Sequence, residues 1–133
     1  MVDLESLIEQ TKNINLLYIE DNQETREATL MLFKIFFDNI ITAVDGEDGL
    51  EKFKNNDIGL VITDMSMPKI NGMLMAKEMK QINANIPIIV LTAITNSSTI
   101  DESRDIGINS YINKPLEDVD ILFEELDKII RGI

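Results

Sequence analysis

Residues 58–93 read IGLVITDMSMPKINGMLMAKEMKQINANIPIIVLTA, and the order of patterns inside this stretch decides the fold. Two short apolar runs, Ile58–Ile62 and Ile86–Leu91, are rich in β-branched residues and mostly unbroken by charge, as expected of strands covered on both faces. Between them Asn71–Ile82 has helical period and is entered through Asn71-Gly72. Strand, helix and strand at this spacing make a βαβ unit with a right-handed crossover. The pattern recurs outward in both directions. Leu16–Ile19, Ile40–Val44 and Tyr111–Ile112 read as further strands, and Gln23–Phe37, Gly46–Asn55, Ser97–Ile106 and Leu116–Ile130 as further helices. Asn22, Asp45-Gly46 and Asn96-Ser97-Ser98 suit helix entries, while Gly107 and Gly132 fall where helices should stop. The expected fold is therefore α/β: a (βα)5, doubly wound, parallel five-stranded sheet with helices on both faces. Residues 1–14 carry only Leu4, Leu7 and Ile8 at helical spacing and read as an N-terminal arm or short helix ahead of a single domain, 15–133.

Composition narrows the chemistry. Twenty-four acidic against twelve basic residues give a net charge of −12, the wrong sign for holding a phosphate backbone, so direct nucleic-acid binding is not expected. With no Cys and no His there is no disulfide, thiolate nucleophile, imidazole base or phosphohistidine, and the chemistry falls to carboxylates, hydroxyls, Lys and backbone. No apolar run approaches the roughly 18 residues of a membrane span. Asp3 and Glu5 stand where a signal peptide would be basic, so a cytoplasmic location is expected.

In a doubly wound sheet, ligands sit at the carboxyl ends of the strands. There stand Glu20 and Asp21 after the first strand, Asp64 after the third, Thr92-Ala93 after the fourth and Lys114-Pro115 after the fifth. Three carboxylates on one rim repel one another unless a hard divalent cation lies among them, and Mg2+ is the natural reading. A Lys on the same rim supplies a point charge for a phosphoryl group, and a Thr hydroxyl beside a small Ala supplies a hydrogen bond with room for an incoming group. Asp can serve as a nucleophile that forms an acyl phosphate. Each residue has a plainer reading alone: Glu20-Asp21 as a solvated strand end, Asp64 as a turn cap, Lys114 as a surface Lys, and Thr92 and Tyr111 as structural residues. The methionines are either a pliable binding surface or gap fillers in a core. Helix 23–37 is apolar around more than one stripe, and its surplus covers core, meets the N-terminal arm or receives a partner.

Taken together, these motifs resemble the receiver domains of two-component response regulators, the single-domain chemotaxis type among them, over about Asn15–Ile130. The acidic pair matches Glu20-Asp21 in LLYIEDN, and the phosphoacceptor matches Asp64 in VITDMSMPKINGM, with Pro68, Gly72 and Met73 in place. Thr92-Ala93 matches in VLTA, and Tyr111, Lys114 and Pro115 match in YINKP. The resemblance implies a flavodoxin-like strand order of 2-1-3-4-5 and a signalling module that catalyses its own Mg2+-dependent phosphorylation and dephosphorylation. Asp64 would take the phosphoryl group from a histidine kinase or histidine phosphotransfer protein. Asp21, Asp64 and the backbone carbonyl of Ser66 would ligate Mg2+, with Glu20 reaching it through water. Lys114 would bond the phosphate and Thr92 turn toward it. Tyr111 would then rotate, changing the surface of helix 97–106, the fifth strand and the last helix for a possible downstream protein target.

This chain departs from the commonest pattern in having Glu20 for Asp. Ile94 lacks a group to hold hydrolytic water, which predicts a long-lived phosphoryl group. Whether the chain stands alone or belongs to a longer protein is left open. A Mg2+-dependent phosphatase with an Asp nucleophile is the competing enzyme class, but that chemistry wants a second Asp where Ser66 stands. A pseudo-receiver that only binds is disfavoured because every chemical position is filled.

Overall fold

The structure is a computed structural model, and it describes residues 3–65, 72–92, 105–114, 116 and 119–130. Five parallel strands form one sheet: β1 (Asn15–Ile19), β2 (Asn39–Ala43), β3 (Leu60–Asp64), β4 (Ile88–Thr92) and β5 (Ser110–Asn113). Their order is β2-β1-β3-β4-β5, as expected. Because side chains alternate across a strand, the unbroken apolar runs feed two separate layers. Leu17, Ile19, Val61, Ile88 and Val90 pack on one face with Leu50, Phe53, Met75 and Met79 of α3 (Gly46–Asn55) and α4 (Gly72–Ile82). Leu16, Tyr18, Ile62, Ile89, Leu91 and Ile112 pack on the other with Phe33, Phe36, Leu122 and Leu126 of α2 (Gln23–Phe36) and α5 (Val119–Ile130). Met65, Met75 and Met79 are buried, so these methionines fill core.

The helices begin where the sequence supplies oxygen acceptors for their free N–H groups. Asn22 accepts from the Thr25 N–H at 2.9 Å and Asp45 from the Asp48 N–H at 2.8 Å. Gly49 in α3 lets that helix press on its neighbours, since a Cβ there would lie 2.9 Å from both Ile19 Cγ1 and Met75 Sδ. Gly107 follows the helical residues Asp105 and Ile106 with φ of +99°, a left-handed conformation that suits glycine.

The N-terminal segment is helical. In α1 (Leu4–Thr11) Asp3 caps the Ser6 N–H at 2.8 Å, Leu7 is fully buried, and the Thr11 hydroxyl donates to the Phe36 carbonyl at 2.6 Å. α1 lies against α2 and α5. The surplus apolar face of α2 is thereby divided: Phe33 and Phe36 enter the core, whereas Met31 and Ile35 are exposed.

Most boundaries shift by a residue or two, and three elements start two residues or more later than the sequence reading has them. β3 starts at Leu60 rather than Ile58 because its ladder with β1 begins at the Leu16–Leu60 pair, although Ile58 is still buried in the core. β4 starts at Ile88 rather than Ile86, since Pro87 has no N–H to donate and only its carbonyl joins the ladder, accepting from the Val61 N–H at 3.1 Å. α5 starts at Val119, and Leu116 fills the apolar layer ahead of it. Of the expected helix Ser97–Ile106, all but the last two residues lie outside the described residues. No helix among the described residues is long and apolar enough to cross a membrane.

Candidate functional site

Strand parity brings the candidate residues to one rim. Tyr18, Ile62 and Ile112 share the α2–α5 face, and Glu20, Asp64 and Lys114 follow each of them by two positions. The three side chains meet: Lys114 Nζ lies 2.8 Å from Glu20 Oε1 and 3.4 Å from Asp64 Oδ2. Asp21, next along the chain and exposed, completes an acidic cluster in which Glu20, Asp21 and Asp64 each offer a carboxylate oxygen, all within 4.8 Å of one another. Donors of this kind and spacing suit a small hard cation such as Mg2+, which takes oxygen ligands at about 2.1 Å.

Glu20 is the most enclosed member. It is fully buried and its Oε2 accepts the Asn22 N–H at 3.3 Å, while its carbonyl accepts from Arg26 Nη1 at 2.8 Å and its own N–H donates to the Ala43 carbonyl at 3.0 Å. Burial raises its carboxyl pKa above the ordinary carboxylate value, against the pull of Lys114, and the neighbouring Asp64 charge raises it further. Burial alone would lower the Lys114 pKa, but Glu20 and Asp64 outweigh it and hold Lys114 as an ammonium. Asp64 is 7% exposed, so its carboxylate lies largely out of water. Its backbone is held by the Thr63 hydroxyl, which donates to the Asp64 carbonyl at 2.8 Å.

Thr92 ends β4, where its backbone pairs with Asn113. Its side chain lies outside the described residues, as do Ser66, Pro68, Ala93, Ile94 and Pro115. Tyr111 pairs with Val90 and packs, half-buried, on the opposite layer, against the α3–α4 core. Sequence reasoning missed Arg26. The available signal was an Arg in the first turns of the helix that follows the acidic pair, placed to fold back on that loop. It also missed the buried hydroxyl of Tyr18, which has no hydrogen-bond partner among the described residues.

This arrangement presents a buried carboxylate, an ammonium and a cluster of hard oxygen donors on one rim. Comparison with known proteins gives it context. A family model described as the response regulator receiver domain matches residues 16–126. The chain is 40% identical over 90 residues to the transcriptional regulatory protein RprY of Bacteroides fragilis, covering 66% of this chain and 38% of that protein. It is 28% identical over 120 residues to the gliding motility regulatory protein of Myxococcus xanthus, covering 89% of this chain and 15% of that one. The chain thus spans less than half the length of these relatives. Among solved structures, it is similar to the CheX–CheY–BeF3–Mg complex from Borrelia burgdorferi, with a TM-score of 0.82 and 26% identity over 89% of this chain and 90% of that one. A response regulator receiver domain protein from Clostridium thermocellum gives a TM-score of 0.81 and 28% identity over 90% of this chain and 95% of that one.

Proposed function

The chain belongs to the response regulator receiver domain family of two-component signalling, and from that premise we propose that Asp64 accepts a phosphoryl group in a Mg2+-dependent reaction. The observation that carries this reading is Lys114, whose ammonium lies within 3.4 Å of Asp64 Oδ2 beside the three-carboxylate cluster. An Asp64 oxygen attacks phosphorus as the phosphorus–nitrogen bond of a phosphohistidine breaks, and the freed imidazole nitrogen takes up a proton. These 133 residues hold no His, so the phosphohistidine lies outside them, and the donor in this reading is a histidine kinase or histidine phosphotransfer protein. Lys114 offsets charge on the phosphoryl oxygens. Asp21, Asp64 and the Ser66 carbonyl would hold Mg2+, with Glu20 nearby. Bound there, the cation supplies neutralisation of the equatorial oxygens.

Thr92 and Tyr111 form the switch in this reading. The added phosphoryl charge biases two arrangements of the surface formed by residues 97–106, β5 and α5, which a downstream protein would read. Residues 15–133 are assigned to the receiver and 1–14 to an N-terminal extension. The module catalyses its own phosphorylation and dephosphorylation and acts in the cytoplasm, without membrane insertion or direct contact with nucleic acid. Intact-mass measurement after acetyl phosphate and Mg2+ tests the assignment. Wild type is expected to gain one phosphate and Asp64→Asn none; a phosphate on Asp64→Asn would overturn it.

A further inference from the structure

We infer that the outward edge of β2 is a strand-addition surface for a second copy of this chain, and that Asp48 and Lys52 of α3 keep it closed. β2 stands at one end of the sheet, so one side of its backbone has no neighbouring strand among the described residues. The Ala43 carbonyl faces β1, where it accepts from the Glu20 N–H at 3.0 Å. Backbone groups alternate along a strand, so those of Ile40, Thr42 and Val44 face outward. α3 takes two of them. Lys52 Nζ donates to the Thr42 carbonyl at 2.6 Å, and Asp48 Oδ2 accepts from the Val44 N–H at 3.0 Å. The two side chains also meet each other at 3.2 Å, one helical turn apart. Ordinary helix support would account for that ion pair, and the Asp45 cap accounts for the start of α3. Neither accounts for both side chains leaving the helix to bond the free edge of a strand.

The edge fits itself. Residues 39–44 read NIITAV, uncharged, rich in β-branched residues and without Pro, the composition of a segment that adds readily to another strand. A two-fold axis through Thr42 would set Thr42 against Thr42, and Ile40 against Val44 of the second copy, antiparallel and bonded in both directions. The flanking acids do not oppose this register. Asp38 would face Gly46 of the second copy and Asp45 would face Asn39, so no two carboxylates stand directly opposite. Every pair in that ladder draws on the Thr42 carbonyl or the Val44 N–H, the groups that Lys52 and Asp48 occupy. Their side chains, 38% and 26% exposed, stand on the edge itself, where the second strand would run.

The test follows the full chain over a range of concentration by sedimentation velocity and by amide hydrogen exchange in NMR. In wild type the Val44 amide should be protected by Asp48, while the outward Thr42 amide exchanges fast at every concentration. Asp48→Ala with Lys52→Met frees both edge groups and keeps the apolar stem of Lys52. This double variant should dimerise at least about tenfold more tightly than wild type, with the Ile40 and Thr42 amides gaining protection as dimer forms. Lys52→Met alone leaves Asp48 at the start of α3 and should show the same protection with weaker association, which keeps the test open if urea unfolding finds the double variant unfolded. Adding Thr42→Pro, which removes an outward N–H at an edge that tolerates Pro, should return either variant to the wild-type state. A gain in association below about threefold in the folded variants would overturn the inference. So would a dimer that survives Thr42→Pro or forms without protecting Ile40 and Thr42, because another surface would be responsible. Protection of Thr42 that rises with concentration in wild type would overturn the closing role of Asp48 and Lys52.

Discussion

Removing the Lys114 ammonium by Lys114→Ala should cost more stability without divalent metal than with it. At an effective dielectric of about 20, unit charges 2.8 Å and 3.4 Å apart attract by about 6 and about 5 kcal/mol. Much of that attraction offsets the cost of keeping the Glu20 carboxylate out of water. Deleting one partner of a buried pair leaves the other uncompensated, at about 3–5 kcal/mol, and the 22% exposure of the Lys114 side chain puts the expected loss near the lower end, about 3 kcal/mol. With the ammonium gone, the three carboxylates lose their internal cation and should bind Mg2+ about tenfold more tightly, which returns about 1.4 kcal/mol at saturating metal. Urea unfolding in EDTA and again in excess Mg2+ reads both quantities. A deficit below about 1 kcal/mol in EDTA, or one that Mg2+ leaves unchanged, would refute the charge accounting.

Three further outcomes follow from packing. Gly49→Ala should lose about 1 kcal/mol in urea unfolding, because contacts of 2.9 Å to Ile19 and Met75 cost more than the roughly 1 kcal/mol an Ala gains inside a helix; a more stable variant would show that α3 can shift away. Leu7→Ala should cost about 3 kcal/mol and Leu4→Ala under about 0.5, and equal small losses would mean that α1 is not docked in solution. Tyr18 packs edge-on to Phe33 with ring centroids 4.8 Å apart, and its buried hydroxyl lies near Thr29 without a hydrogen bond of good geometry, so Tyr18→Phe should be neutral or up to about 1 kcal/mol more stable. Burial, with the nearby Glu20 and Asp64 charges, raises the Tyr18 phenol pKa. The unfolded chain therefore sheds that proton first, and wild-type stability should fall as pH rises above about 10, a slope Tyr18→Phe should reduce in alkaline unfolding curves.

The sheet was legible in the sequence because its strands are apolar on both faces, a pattern that survives errors of two residues at either end. Strand parity carried much of the site as well: once Tyr18, Ile62 and Ile112 share a face, Glu20, Asp64 and Lys114 must reach the same rim. Partner choice could not be read this way. That Lys114 prefers Glu20 over Asp64 depends on the reach of two side chains from strands far apart in sequence. Leu116 shows a different limit, since an apolar residue that closes a layer ahead of a helix has the same period as one inside it. The state of the N-terminal segment was ambiguous because eight residues are too few for a helix to hold by local propensity, and its docking on α2 and α5 decides the matter.

That docking has a consequence for birth order. Within this domain α1 is made before the sheet, yet its partner α5 lies more than a hundred residues downstream. At about 5–20 residues per second, Leu7 waits roughly 5–20 seconds before α5 exists to cover it. Contacts of such long sequence separation close late in folding. During translation the nascent chain therefore carries an amphipathic segment with half its dock missing, and this is where a chaperone that recognises short apolar helices would find its opening.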